Sequence, residues 1–518
     1  MAAQATLGAV RRRLGIVAVL MVSAFSSASP ATAAPRQESI FEDDDLLLHS
    51  PPATVDRTLA ELKALGVDRV RIPALWRDIA PESRPRHPAS PGVYDERIAR
   101  LDYAISSAYE HGLTVLLNPR GGAPVWAQGA NPPRRIADKD AFKPGAKAFG
   151  AFVEMLGRRY SGNYGHDGEL LPKIDVWSLW NEPNWGGLLQ PQSERDKRTG
   201  RMHTFAPQLY RRLYRAGHAA LEVSGHGGDV ILIGETAPLG SEKFGVANPI
   251  YAARFYRDLF CLGANLRPLR GRQARLGSCG DFKRQGPLQT LGAAHHPYPV
   301  LAKPEFRSVL PDEIRLADSR RLEHILDAAN RHGRVTGRIP VWYTEFGYQT
   351  NPPDPYRGVS LRRQAAWTVR SEFIAFRDRR VLAFNQFLLR DSPPQTQFPV
   401  THRRYWGTYQ TGLRFDDGRR KPVYRAYRLP FMALDAIRSG RPLRLWGLVR
   451  PGLEGMPQPI RIEHRAGPRG DWADVLTHTV RDAKGYFTVR LPRARAGQYR
   501  FVWISPKGEV ASGPAVKR

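Results

Sequence analysis

A (β/α)8 barrel (TIM barrel) carrying a small all-β sandwich at its carboxyl end is the fold this sequence predicts, and three observations predict it. Runs rich in β-branched residues alternate with amphipathic helical stretches eight times between residues 40 and 438. Some of those runs are almost wholly apolar, such as Leu113-Thr114-Val115-Leu116-Leu117, which is what a parallel strand covered on both faces requires. From residue 440 to 518 short β-rich stretches follow one another between Gly, Pro and Asp turns, with no helix between them. An open doubly wound sheet is the alternative. It seldom needs eight alternations, and neither G-x-G-x-x-G nor a Walker lysine loop stands at a strand end.

The first strand is expected at 46–49. Thr54, a candidate N-cap, then opens a helix over 54–65 whose Val55, Leu59, Leu62 and Leu65 share one face. Gly66 follows in the position where a left-handed residue ends a helix, and a strand is expected at 69–73. The next unit repeats the grammar. Ile98, Leu101, Ile105 and Ala108 line a helix over 95–111, Gly112 ends it, and a strand runs over 113–118. Further strands are expected at 173–180, 229–234, 289–296, 339–345 and 381–388. Helices are expected at 145–160, 206–223, 247–260, 319–332, 359–378 and 421–437. In the terminal module, Ile460-Arg461-Ile462-Glu463 and the stretches 486–491 and 499–504 read as strands. Trp446, Trp472 and Trp503 there could bind a glycan; without a visible aromatic platform, packing is the simpler role.

Of 518 residues, 42% are hydrophobic, which excludes wholesale disorder, and the 47 glycines follow no collagen-like period. A formal net charge of +29 rests on 65 arginines against 13 lysines. Such an excess suits an anionic cell-envelope polymer through long-range attraction; a coding bias explains it as simply. Arg11, Arg12 and Arg13 precede an apolar run over 14–22, and Ala31-Thr32-Ala33 offers small residues for cleavage. That is the layout of a signal peptide over 1–33, an uncut signal anchor being the alternative. The chain is therefore expected to be secreted or held at the cell envelope, with no stable membrane span, since no later run reaches the ~20 apolar residues one needs. Export argues against nucleic acid as the partner of the basic charge. It also favours a local disulfide between Cys261 and Cys279 over two free thiols. Two cysteines exclude a disulfide-dense scaffold and a four-thiolate zinc site.

Reactive residues of a barrel stand at the carboxyl ends of its strands. The fourth strand runs through Val176-Trp177-Ser178-Leu179-Trp180 into Asn181-Glu182-Pro183-Asn184. The seventh runs through Val341-Trp342-Tyr343-Thr344 into Glu345-Phe346-Gly347-Tyr348. A carboxylate at either place costs desolvation and gives a core nothing. Two of them facing one cavity divide labour: one protonates a leaving oxygen while the other attacks carbon. That is the apparatus of glycoside cleavage, in which a gap of ~5 Å between the carboxyl groups implies retention of configuration.

Over about residues 40 to 437 these motifs resemble clan A of the glycoside hydrolases. The fuller Trp180-Asn181-Glu182-Pro183-Asn184 is similar to family 39, and Thr344-Glu345-Phe346-Gly347 also occurs in family 5-like members. The resemblance implies that Glu182 is the acid/base, Glu345 the nucleophile, and Asn181 the partner of the sugar 2-hydroxyl. It implies a site role for Arg71, in Val70-Arg71-Ile72-Pro73, close to the nucleophile. His296 and Tyr298, in His296-Pro297-Tyr298 after the sixth strand, are implied in the same way, with the tyrosine hydroxyl bonding Glu345. The stretch from Gly412-Leu413 to Lys421-Pro422 resembles the lead-in to the family's last barrel helix. One departure stands out: many members carry tryptophan at the end of strand eight under the sugar, and this strand reads Ala383-Phe384-Asn385-Gln386-Phe387-Leu388.

Trp76, Trp126 and Trp185 fall in loops on the same face, where flat rings either stack on a pyranose or simply pack. His295 is expected to face away from the site by strand alternation. Asp43-Asp44-Asp45 lacks the further ligands of a calcium loop and reads as a solvated run. His295, His296 and Glu345 lack metal-site spacing, so neither metal nor organic cofactor is expected. The activity expected is that of a secreted retaining glycoside hydrolase acting on β bonds of a polysaccharide or oligosaccharide. A catalytically silent glycan-binding barrel at the cell surface is the competing class, and transglycosylation a third outcome of the same site.

Overall fold

The computed structural model describes residues 37–132, 138–453, 456–506 and 508–517. The signal peptide expected over 1–33 lies outside them. Among the described residues, no helix is long and apolar enough to cross a membrane.

Eight parallel strands close into a barrel: β1 (Glu38–Glu42), β2 (Arg69–Leu75), β3 (Thr114–Arg120), β4 (Val176–Ser178), β5 (Val230–Thr236), β6 (Gly292–His295), β7 (Val341–Tyr343) and β8 (Val381–Phe387). Each pairs with its neighbours in sequence, and β1 closes on β8 with Glu38 opposite Ala383 and Glu42 opposite Phe387. One helix follows each strand in turn: α1 (Pro52–Ala64), α2 (Asp95–Glu110), α3 (Ala146–Arg159), α4 (Ala206–Leu221), α5 (Ala252–Leu259), α6 (Ser319–Arg331), α7 (Leu361–Arg377) and α8 (Pro422–Arg428). Ile40, Leu116, Val176, Leu232, Ala294 and Trp342 meet inside the barrel and fill it, so it is a packed core and not a pore.

Strand one lies earlier than 46–49. Leu46 and Leu47 belong to a one-turn helix, Asp44–Leu47, and a four-residue apolar run fits either element. Asp43 caps that turn through Leu46 N–H at 3.1 Å and also accepts from Leu389 and Arg390 N–H at 3.0 and 3.1 Å. The triple aspartate is therefore no solvated run. Asp43 is buried, ties the end of β1 to the loop after β8, and is pushed up to about 7 by that burial. Helix α1 starts at Pro52, ahead of Thr54, because a proline fits the first helical turn. Gly66 ends the helical stretch at φ +74.

The last barrel helix stops at Arg428, well short of 437, because Pro430 cannot continue it. The chain turns instead into β9 (Phe431–Ala433), the first strand of the terminal sandwich. It pairs with β10 (Leu443–Leu448), which pairs with β13 (Tyr486–Leu491). The facing sheet holds β11 (Gln458–Arg465), β12 (Ala473–Val480), β14 (Gln498–Ile504), β15 (Val510–Ser512) and β16 (Val516–Lys517). Trp503 lies in the core between the sheets. Trp446 is buried against Phe373 and Phe376 of α7, with centroids 5.2 and 5.7 Å away. Trp472 is held between the guanidinium groups of Arg465 and Arg500, at 4.5 and 4.2 Å.

The sandwich docks on the amino-terminal end of the barrel. Arg450 pairs with Glu372 of α7, both buried, and Lys484 reaches Asp68 at 2.8 Å just before β2. A side chain at Gly66 would meet Pro451 Cα at 2.8 Å, so the close approach of the two parts also demands glycine there. A disulfide joins Cys261 and Cys279 across the excursion between α5 and β6.

Candidate active site

At the opposite, carboxyl-terminal end the strands deliver a tight cluster of charge. Beyond β4 the chain turns through Trp180 at φ +75 and Glu182 at φ +36, left-handed conformations that these residues seldom adopt. Asn118 of β3 holds the turn by donating to the Ser178 and Trp180 carbonyls, each at 2.7 Å. Glu182 N–H donates to the Glu235 carbonyl at 2.8 Å. Asn184 then staples this loop to the one after β5, accepting from Ala237 N–H at 2.9 Å and donating to Ile250 O at 2.8 Å.

Arg71, on β2 and fully buried, is the hub. Its Nη1 donates to Glu42 at 2.5 Å and Glu345 at 3.1 Å. Its Nη2 donates to Asn181 at 2.7 Å, and to Asn118 and Glu235 at 3.1 Å each. Glu345 also accepts from the Tyr298 hydroxyl at 3.0 Å. His296 lies beneath the two outer glutamates: Nδ1 contacts Glu182 at 3.0 Å and Glu345 at 3.5 Å, and Nε2 contacts Glu235 at 2.6 Å. Burial alone would keep this imidazole neutral, but Glu345, Glu182 and Glu235 together raise it to about 10. As an imidazolium it would donate from both nitrogens. Its neighbour His295 faces outward to Thr236 and the Ile314 carbonyl, and burial lowers it to about 3.

Two members of the cluster were not read from the sequence. Glu235 closes β5 at Gly234-Glu235-Thr236, at φ +53 and fully buried. It accepts from Arg71, His296, Thr344 at 2.9 Å and Ser178. Burial would raise it, yet Arg71 and His296 hold it down at about 2. The rule that singled out the ends of strands four and seven applies equally to strand five. Glu42 ends β1, and burial pushes it well above the usual carboxylate range against the pull of Arg71. Misplacing strand one hid it.

Glu182, Glu345, Asn181 and Tyr298 line one cavity of about 730 Å³. Arg71 and His296 have no exposed surface, so they hold the carboxylates and are not themselves sugar-binding residues. Trp76 is also out of reach. It is buried beneath the mouth, stacked on Phe152 with centroids 5.8 Å apart and edge-on to Trp126. Trp126 donates its indole N–H to Pro81 O at 2.9 Å and does not line the cavity; Trp185 does, 42% exposed. Where strand eight lacks tryptophan, Phe387 takes the wall, with Tyr409 edge-on at 5.3 Å. Glu182, His296 and Glu345 bring ligand atoms within 4.8 Å of one another.

No protein-family model matches this chain, and no curated protein matches it. Solved structures similar to it include GH5_18 from Bifidobacterium longum subsp. longum ATCC 55813, at 15% identity and TM-score 0.44 over 76% of this chain and 78% of that one. The exo-β-1,4-mannosidase Op5Man5 from Opitutaceae bacterium strain TAV5 gives 15%, TM-score 0.41, and 77% and 60%. A Bacteroides uniformis β-glucuronidase gives 9%, TM-score 0.41, and 93% and 45%, so this chain spans about half of that protein.

Proposed function

We propose that the protein is an exported glycoside hydrolase that cleaves a β-glycosidic bond with retention of configuration, in the manner of clan A. The observation that carries this is the facing pair: carboxylate oxygens of Glu182 and Glu345 within 4.8 Å of each other at one cavity. That gap favours direct attack by one carboxylate, whereas an intervening water would need ~6.5 Å or more. Glu345, oriented by Arg71 and Tyr298, attacks the anomeric carbon while Glu182 protonates the departing oxygen. Glu182 then takes a proton from the water that releases the sugar.

Arg71 and His296 bring positive charge against the carboxyl groups of Glu42, Glu182, Glu235 and Glu345. Burial favours the neutral form of Glu42. Asn181, at the cavity wall, is the partner for a hydroxyl next to the reacting carbon. The disulfide and the basic, apolar leader support export to an oxidising compartment.

Glu345→Ala should lower kcat/KM by about 10⁴-fold or more while the fold survives, and azide should restore turnover as a glycosyl azide of inverted configuration. Glu182→Ala should be slowest on glycosides with poor leaving groups. Undiminished hydrolysis by Glu345→Ala overturns the reading. Glycan binding by the wild type without release of reducing ends assigns the barrel to recognition instead.

A further inference from the structure

The cavity has two chemically different walls. Three consecutive loops, after β4, β5 and β6, supply Trp185, Leu188, Pro238, Leu239, Val300 and Leu301. Across the mouth, the loops after β7, β8, β1 and β3 supply Gln349, Arg357, Ser392, Asp44, Asp45 and Arg120, with Phe387, Leu388 and Tyr409 among them. Trp185, Val300 and Leu301 are 42%, 44% and 50% exposed, a cluster of large apolar side chains left in water unless a ligand covers them. Hydroxyls on a sugar ring need hydrogen-bond partners, and aliphatic side chains offer none. The polar wall has them in abundance.

Which wall meets which half of the substrate follows from the glutamates. Glu182 stands at the end of β4, the first strand of the apolar side, and as proton donor it faces the departing oxygen. The group behind that oxygen therefore lies along Trp185, Leu239, Val300 and Leu301. The sugar that is attacked lies over Glu345, against Asp44, Arg120 and Gln349. We propose that the leaving group is an alkyl chain, so that the substrate is an alkyl or lipid-type glycoside and not a chain of sugars. An alkyl occupant fits better than an aryl one because Leu188, Leu239, Val300 and Leu301 make the wall mostly branched aliphatic beside the rings of Trp185 and Tyr298. This rests on Glu182 being the proton donor. In the step, the Glu345 carboxylate forms a bond to the anomeric carbon as the carbon–oxygen bond to the chain breaks. The electron pair leaves on that oxygen, takes the Glu182 proton, and departs as an alcohol. Water then adds to the anomeric carbon, its proton passes to Glu182, and Glu345 is freed.

The test is a series of methyl, butyl, hexyl and octyl β-glycosides of each common hexose and pentose, kept below micelle-forming concentrations. Leaving-group basicity changes little beyond methyl, so chain length reports burial. For the accepted sugar, kcat/KM should rise about two- to fourfold per added methylene until the wall is covered, and the octyl glycoside should outrun the matching disaccharide. Leu301→Asn should shrink the octyl-to-methyl ratio by about fivefold or more. Turnover with no dependence on chain length, or with the disaccharide preferred, overturns this inference and leaves the hydrolase reading standing. A larger gain from a phenylalkyl group than from an alkyl group of equal carbon number overturns the alkyl assignment. Calorimetric binding to the Glu345→Gln protein separates the remaining case. Tighter binding of octyl than of methyl glycoside, with no turnover by the wild type, supports the apolar subsite and overturns the hydrolase reading.

Discussion

Glu235→Gln should loosen the proton on His296 without removing any group that touches the substrate. The imidazole is raised from 6.5 to about 10, a bias of about 5 kcal/mol toward its charged form at 1.36 kcal/mol per pKa unit. Burial opposes that bias, and Glu345, Glu182 and Glu235 share in creating it. Glu235 is the nearest of the three at 2.6 Å, so its neutralisation should lower the ring's proton affinity by about tenfold. Nitrogen-15 shifts of the histidine ring, followed against pH in both proteins, read this directly. The alkaline limb of kcat/KM should move to lower pH in the variant, since a neutral His296 can hold only one of its carboxylate neighbours. A merely structural glutamate would lower the melting temperature and leave the ring titration where it was. Identical titration curves, or a neutral His296 in the wild type at pH 7, refute the reasoning.

Taken together, His296, Glu235 and Asp43 should give the greatest stability at about pH 4 to 4.5, with a decline as pH rises further. His296 contributes fully below its unfolded value of 6.5, and its contribution is lost as pH rises through about 10. Glu235, depressed from 4.5 to about 2, contributes above 4.5 and loses this as pH falls through 2, while the buried Asp43, raised from 3.8 to about 7, weakens the fold progressively as pH rises from 3.8 to 7. Thermal unfolding should therefore give a higher melting temperature at pH 5.5 than at pH 9, and the reverse order contradicts the assignment. Cys279→Ser opens an 18-residue link and should cost about 3 kcal/mol in denaturant unfolding, with no change in turnover. Glu372→Ala leaves Arg450 charged and buried at the junction with the sandwich and should cost about 3–5 kcal/mol; adding Arg450→Met should restore part of it.

Much of the barrel was legible because its signals are local. Apolar runs, helical spacing and the glycines at 66 and 112 mark elements without reference to anything distant. The ends of strands four and seven stood out for the same reason, each an apolar run broken by one glutamate. Strand one was misplaced because Leu46-Leu47-Leu48 is more hydrophobic than Glu38-Ser39-Ile40-Phe41-Glu42, whose two glutamates find Arg69 and Arg71 only after the barrel closes. Glu235 was missed because its partners come from β2 and β4 and from just beyond β6 and β7, contacts that no spacing encodes. Trp76 misled for a related reason: a ring in an active-face loop reads the same whether it faces a sugar or Phe152.

If Glu182 is the acid/base, the left-handed backbone at Trp180, Glu182 and Glu235 sets that role against the durability of its own scaffold. Each such residue costs of order 1–3 kcal/mol relative to an unstrained one, and asparagine or glycine would relax it. Under the proposed function, selection for heat resistance alone would thus drift toward hardy, inactive barrels. Any campaign to toughen this protein should then screen for turnover at every round, or it will harvest the loss of the residue proposed to donate the proton.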